Sequence, residues 1–283
     1  MDKRWLLNLS LLGIIAVLGL IALWRPGIQK PVTTPLVATV KTEQINRIII
    51  TRARAADIEL QRNADGGGSW KMVRPVPGRT SLFVVSDMLR ILTAKNQQSL
   101  PAEAASQLNR YGLDPARARL QLDQLEILFG DTHPVSNLQY VLVQGRVAMI
   151  DSGYFRAATR RYTDYLSKRL IEKDRRPIAL SLPNVRLSLK KGTWQAHPEQ
   201  KDLSADRIKQ LVDQWRYAQA LSVKKYNDDR VLDWVQLSFA GETKRLRIGI
   251  LSRSPKLILY RPDEKLQYYF PQDVGKRLFS VAE

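Results

Sequence analysis

The sequence has no cysteine and only two histidines, and these scarcities exclude several classes of site. A chain without cysteine forms no disulfide, offers no thiolate nucleophile and binds no zinc through sulfur. The two histidines, His133 and His197, are distant in sequence, and each precedes a proline in a region expected to be an exposed loop. Two distant histidines are too few for a metal site built from several histidine ligands.

Motifs of catalysis and nucleotide binding are also missing from the sequence. It contains no Gly-x-Ser-x-Gly nucleophile elbow, and Gly275-Lys276-Arg277 lacks the upstream glycine and the hydroxyl residue of a P-loop. We therefore predict no catalytic residue, no cofactor and no metal, and we expect a protein that is not an enzyme.

Acidic residues are scarce relative to basic ones. The chain has 45 Lys and Arg against 27 Asp and Glu, a formal net charge of +18. Such a charge attracts anionic surfaces over about one Debye length. Lipid headgroups and nucleic acid are the natural candidates. The hydrophobic content of 44% is sufficient for a substantial folded core.

Residues 5–24 contain no charged side chain, and a helix of about 20 apolar residues matches the thickness of a bilayer. We predict a single transmembrane anchor over residues 1–24, with its N-terminus in the cytoplasm and the body in the periplasm of a bacterium. A cleaved signal peptide is the alternative, which the length of the stretch and the lack of a small-residue cleavage site disfavour. The expected membrane-interface residues are Lys3, Arg4, Trp5, Trp24 and Arg25.

The remaining chain is predicted to have an α+β fold built from two similar β-rich modules, each with a packed helix. A proline-containing tether over residues 25–43 precedes a first module over 44–155 and a second over 178–283. In this internal duplication Trp70 corresponds to Trp194, and a helix starting near Ser81 corresponds to one starting near Ser204.

A strongly basic connecting segment, residues 156–177, joins the predicted modules. Mutual repulsion of so many cations disfavours their burial, so we expect this cluster to lie on the surface and to bind an anionic lipid or an acidic partner. The candidate residues are Arg156, Arg160, Arg161, Lys168, Arg169, Arg175 and Arg176.

Two short motifs carry a resemblance to a known family: Tyr111-Gly112-Leu113-Asp114-Pro115 and Leu128-Phe129-Gly130-Asp131. With Trp70 and the helix near Ser81, they resemble the bacterial domain of unknown function 4340. The resemblance implies a membrane-anchored envelope protein, in some cases associated with ABC-type transport systems, and it brings no catalytic residues. The second module lacks the Tyr-Gly-Leu motif. Within the first motif, Gly112 is expected to end a helix on which Leu113 packs back.

We therefore expect a non-enzymatic binding or scaffolding protein at the inner membrane, accessory to a transport or surface-assembly complex and joined to a protein partner there. The alternative is an anchored protein that binds nucleic acid or another anionic ligand through its basic surface. Nucleic acid is not expected as a partner if the body is periplasmic.

Overall fold

The computed structural model describes residues 3–24, 35–37, 40–64, 67–199 and 203–280. It begins with helix α1 (Lys3–Trp24), whose side chains are described over residues 10–20. In the described part of the chain, no helix is long and apolar enough to cross a membrane.

The predicted transmembrane helix is thus not found. The predicted membrane-interface residues have side chains outside the described part of the structure; they are Lys3, Arg4, Trp5, Trp24 and Arg25. Most of the predicted tether also lies outside the described residues.

The first half of the body is an antiparallel sheet, which has nine strands in the described residues. The strands pair in the order β4-β3-β2-β1-β6-β7-β8-β9-β5. They are β1 (Arg47–Arg52), β2 (Ala55–Arg62), β3 (Trp70–Arg74), β4 (Gly78–Arg79), β5 (Gln98–Ser99), β6 (Ala118–Leu122), β7 (Leu125–Thr132), β8 (Leu138–Val143) and β9 (Arg146–Asp151).

The second half is another antiparallel sheet, with eight strands among the residues described. Their order is β12-β11-β10-β14-β15-β16-β17-β13. They are β10 (Pro177–Ser181), β11 (Arg186–Lys190), β12 (Thr193–His197), β13 (Ser222–Lys225), β14 (Asp233–Phe239), β15 (Leu246–Ser252), β16 (Leu257–Arg261) and β17 (Leu266–Phe270). Apart from the two-residue β4, the two sheets have the same strand order.

The prediction of an α+β fold is wrong, because two large antiparallel sheets form most of the body, and the helices described after α1 are few and at most 13 residues long. Besides α1, the helices of the described residues are α2 (Leu82–Leu89), α3 (Ser152–Ala158), α4 (Tyr162–Tyr165), α5 (Ala205–Tyr217) and α6 (Gln272–Phe279). Alternation of apolar residues identifies single strands, but it does not show how many strands join one sheet.

Burial follows the alternation of the strands. In β1, Ile48 and Ile50 are fully buried while Arg47 is exposed, which is the pattern of a strand with one face on the core. Helix α5 begins after Ser204, whose side chain accepts a hydrogen bond from the backbone N–H of Arg207. The apolar face of α5 is buried at Ile208, Leu211, Val212 and Trp215. One continuous hydrophobic core contains residues from both sheets.

The two motifs that carry the family resemblance pack against each other. A short 3-10 helix (Leu108–Tyr111) ends at Gly112, which has a φ of 64°. The N–H of Gly112 donates to the carbonyl of Asn109, and the N–H of Leu113 donates to the carbonyl of Leu108, as in a Schellman cap. Leu113 is buried beside Leu108, which confirms the predicted helix-ending role of Gly112.

Candidate functional site

A cleft of about 900 Å³ lies between the first half of the body and the segment that connects the two sheets. One wall contains the start of α2, and the other contains residues 166–174 of the segment that connects the sheets. Gln219, beyond the end of α5, completes the lining beside them. Such junctions between structural units are common positions for binding sites.

Residues 166–170 of the connecting segment are hydrogen-bonded on both sides. Toward the first half, the N–H of Ser167 donates to the carbonyl of Arg79 at 2.8 Å. Toward the second half, the N–H of Leu170 donates to the carbonyl of Ala218 at 3.1 Å, and the N–H of Ala220 donates to the carbonyl of Lys168 at 2.9 Å. The cleft is therefore held between two halves that this segment ties together.

Below the cleft, a charged network joins the two sheets. Arg79 of β4 forms ion pairs with Glu264 and, at 3.2 Å, with Glu172. Its Nη2 also donates to the carbonyl of Arg169 at 2.8 Å. Glu264 is 7% exposed and accepts a further hydrogen bond from the hydroxyl of Tyr268. Strands from opposite sheets are thus joined through one buried carboxylate.

Arg261, the last residue of β16, forms the second centre of this network. Its side chain is 2% exposed, and its Nη2 lies 2.6 Å from Asp263 Oδ2 and 3.1 Å from Glu172 Oε1. Its Nη1 donates to the carbonyl of Leu170 at 2.7 Å, which attaches the network to the connecting segment. A guanidinium supplies several donors in a fixed plane, and here one Arg uses them to bind three separate groups.

The charges of the network keep Glu172 ionised. Burial by itself would raise the pKa of Glu172, but Arg79 and Arg261 outweigh that effect and lower the pKa to about 2. Burial by itself would also lower the pKa of Arg79, but the negative charge of Glu264 opposes this effect and the net result is a raised pKa. A carboxyl that has already lost its proton at neutral pH cannot serve as a general acid there.

The lowered pKa of Glu172 predicts a pH-dependent contribution to stability. An unfolded Glu titrates near pH 4.3, so the contribution is complete above that pH and is lost as the pH falls toward 2. We expect Glu172→Gln to lower the free energy of unfolding by roughly 2–3 kcal/mol at pH 7, and the difference from the parent should shrink toward pH 2.

Urea denaturation of parent and variant across this pH range is the measurement. Glu126→Gln is the control, because Glu126 forms an exposed pair with Arg119 and should change stability little at any pH. A difference for Glu172→Gln that stays constant from pH 7 to pH 2 would contradict the assigned ionisation.

Three cations at the cleft lack a carboxylate partner. Lys168, Arg169 and Lys173 line it, and none forms an ion pair with a carboxylate of the described residues. The Nη1 atom of Arg169 is buried and has no hydrogen-bond partner in that part of the chain. A buried donor without a partner is costly, and because Nη1 is buried the exposed Lys168 and Lys173 are the cations open to an anionic group.

Large apolar side chains stand beside these cations. Leu82 and Phe83, the first two residues of α2, line the same cleft and are 56% and 78% exposed. The next turns of the helix bury Val85, Met88 and Leu89 in the core. Exposed Leu and Phe next to one another on a helix fixed by its buried face form an apolar lip at the cleft.

The predicted basic cluster is divided by the structure. Arg160, Lys168 and Arg169 line the cleft, although Arg160 also pairs with Asp87 at 2.7 Å. Arg175 is 18% exposed, because Glu172 and Glu242 both bind it. The remaining members are exposed, namely Arg156, Arg161 and Arg176. Binding of an anionic partner by this cluster stays a prediction.

The sequence did not indicate the partners of the charged network. Arg79 and Glu264 are 185 residues apart, and no local spacing marks them as a pair. In the described residues, no group of three or more His, Asp or Glu side chains is arranged to hold a metal ion.

Comparison with known proteins identifies the family. The family described as "Domain of unknown function (DUF4340)" matches residues 70–233, more than half of the chain, and the chain therefore belongs to it. No curated protein and no solved structure matches the chain.

Proposed function

We propose that this member of the DUF4340 family is a non-enzymatic binding protein of the bacterial cell envelope, and that its cleft receives an anionic partner. The observation that carries the proposal is the combination of two exposed lysines, Lys168 and Lys173, which pair with no carboxylate of the described residues, and an apolar lip at the same cleft. The charged side chains below the cleft already pair with one another, in Arg79–Glu264 and Arg261–Glu172. The exposed lysines and the apolar lip are therefore the groups that the cleft offers to a partner.

The proposed location is the periplasmic side of the inner membrane. The resemblance to membrane-anchored envelope proteins supports this location, and the net charge of +18 suits a position beside an anionic leaflet. The family resemblance supports a scaffolding role in a transport or surface-assembly complex, where a protein partner would be held beside the membrane. A cleft with exposed lysines close to the bilayer fits both parts of this proposal.

Charge reversal at the cleft tests the proposal in native membranes. Lys168→Glu/Lys173→Glu should reduce partner recovery after mild crosslinking by tenfold or more, since it places two negative charges where the anionic group binds. The matched control is Lys190→Glu/Lys191→Glu, which makes the same charge change on exposed residues of the β11–β12 hairpin.

Equal recovery of the partner with the parent, the cleft variant and the control would refute a role for the cleft. Recovery that nuclease treatment abolishes would instead favour the nucleic-acid alternative, for which the net charge of +18 is the supporting observation.

A further inference from the structure

We infer that the mouth of the cleft docks on an anionic phospholipid bilayer, with Leu82 and Phe83 entering the interface while Lys168 and Lys173 contact headgroup phosphates. The inference rests on the proposed function and names the partner of the same site. Apolar side chains flanked by cations are the two elements that peripheral membrane binding requires.

The apolar part of this surface is exposed and rigidly held. Phe83 is 78% exposed, although a Phe side chain gains most by leaving water. The opposite side of α2 is fixed by Val85, Met88 and Leu89, all buried. Entry of Leu82 and Phe83 into a lipid interface would therefore remove their apolar surface from water without unfolding the helix.

The cationic part has the composition that phosphate recognition favours. Lys168 and Lys173 are exposed and carry no paired carboxylate in the described residues. Lys acts as a flexible point charge that can reach a phosphate oxygen from several directions. Both lysines line the same cleft as the apolar lip.

The carboxylate of Glu172 favours a lipid surface at the mouth of the cleft over an acidic peptide inserted deep into it. Glu172 lies at the floor, is 26% exposed and remains ionised at neutral pH. A carboxylate that entered fully would approach Glu172, and like charges at short distance repel. Anionic groups are therefore favoured at the mouth, which is where a headgroup layer would present them.

A fluorescent label can test this docking, because the natural chain has no cysteine and a single introduced one is labelled alone. Leu82→Cys carries an environment-sensitive dye, in the full chain reconstituted in phosphatidylcholine vesicles with or without 30% phosphatidylglycerol. We expect a blue shift and at least a twofold rise in emission with the anionic vesicles. The distant control is Val135→Cys, an exposed position between β7 and β8 that should not respond.

Charge-reversal variants of the same labelled chain separate the contribution of the cleft lysines from that of the overall positive charge. Lys168→Glu/Lys173→Glu should abolish the Leu82→Cys response, Lys190→Glu/Lys191→Glu should preserve it, and added salt should weaken it. Inorganic phosphate without vesicles should give no response. Unchanged thermal unfolding of each labelled variant establishes that the fold is intact.

The lipid inference is overturned if the Leu82→Cys label does not respond to anionic vesicles, or if the Val135→Cys label responds equally. It is also overturned if reversal of the cleft charges leaves the response unchanged. Loss of the vesicle response together with retained, cleft-dependent crosslinking to a protein would refute lipid docking and leave the proposed function standing.

Discussion

Arg261→Met should lower the free energy of unfolding by about 3–5 kcal/mol, the cost of removing one member of a buried ion-pair network. Arg261 is 2% exposed and lies against Asp263, Glu172 and the buried Glu264. Methionine fills part of the volume but leaves these carboxylates without their shared cation. The unfolding midpoint should fall by about 10 °C in a domain of this size.

Arg277→Met is the matched control for this substitution. Arg277 pairs with Asp273 at 3.2 Å, but both side chains are more than half exposed, so water replaces the lost interaction. Its effect should stay within about 0.5 kcal/mol. Thermal and urea unfolding measure both variants, and equal effects for Arg261→Met and Arg277→Met would show that the network does not stabilise the fold.

Gly130→Ala is expected to have the second largest effect, about 3 kcal/mol, because the added methyl group has no room. A Cβ at Gly130 would lie 2.2 Å from the carbonyl oxygen of Tyr111 and 2.9 Å from Cγ of Leu113. The first neighbour is backbone and the second is a buried side chain, so neither can move aside without disturbing the packing between the two family motifs.

The contribution of steric contact can be separated from that of backbone conformation. Gly145→Ala introduces a methyl group with no atom within 4 Å, at a φ of 73°, so it carries only the conformational cost of about 1–2 kcal/mol. Urea denaturation should show a larger loss for Gly130→Ala than for Gly145→Ala. A Gly130→Ala protein as stable as the parent would show that the two motifs can move apart without loss of stability.

Local features of the fold were accessible from the sequence. The apolar spacing at Ile208, Leu211, Val212 and Trp215 predicted the buried face of α5, and the glycine at position 112 predicted a helix end. These features depend on neighbours within a few residues. The fold class was wrong because the assembly of nine and eight strands depends on pairings between distant segments, which periodicity does not encode.

Arg175 shows why the site was only partly predictable. Repulsion among nearby cations suggested an exposed position, yet its guanidinium is held by Glu242, 67 residues away, at 2.6 Å, and by Glu172. It also lies over the ring of Phe239, 3.8 Å from the centroid. Distant carboxylates cancelled the local repulsion, and only the three-dimensional arrangement brings them to Arg175.

The wide separation of Arg79 and Glu264 has a consequence for synthesis of the chain. The 185 residues between them require about 10–40 s of translation at ordinary bacterial rates. Every strand of the first sheet has left the ribosome well before Glu264 is made. During that interval the nascent first half presents Arg79 without its carboxylate partner. A chain that stops before Glu264 therefore leaves Arg79 without this carboxylate, and the charged network that joins the two sheets stays incomplete.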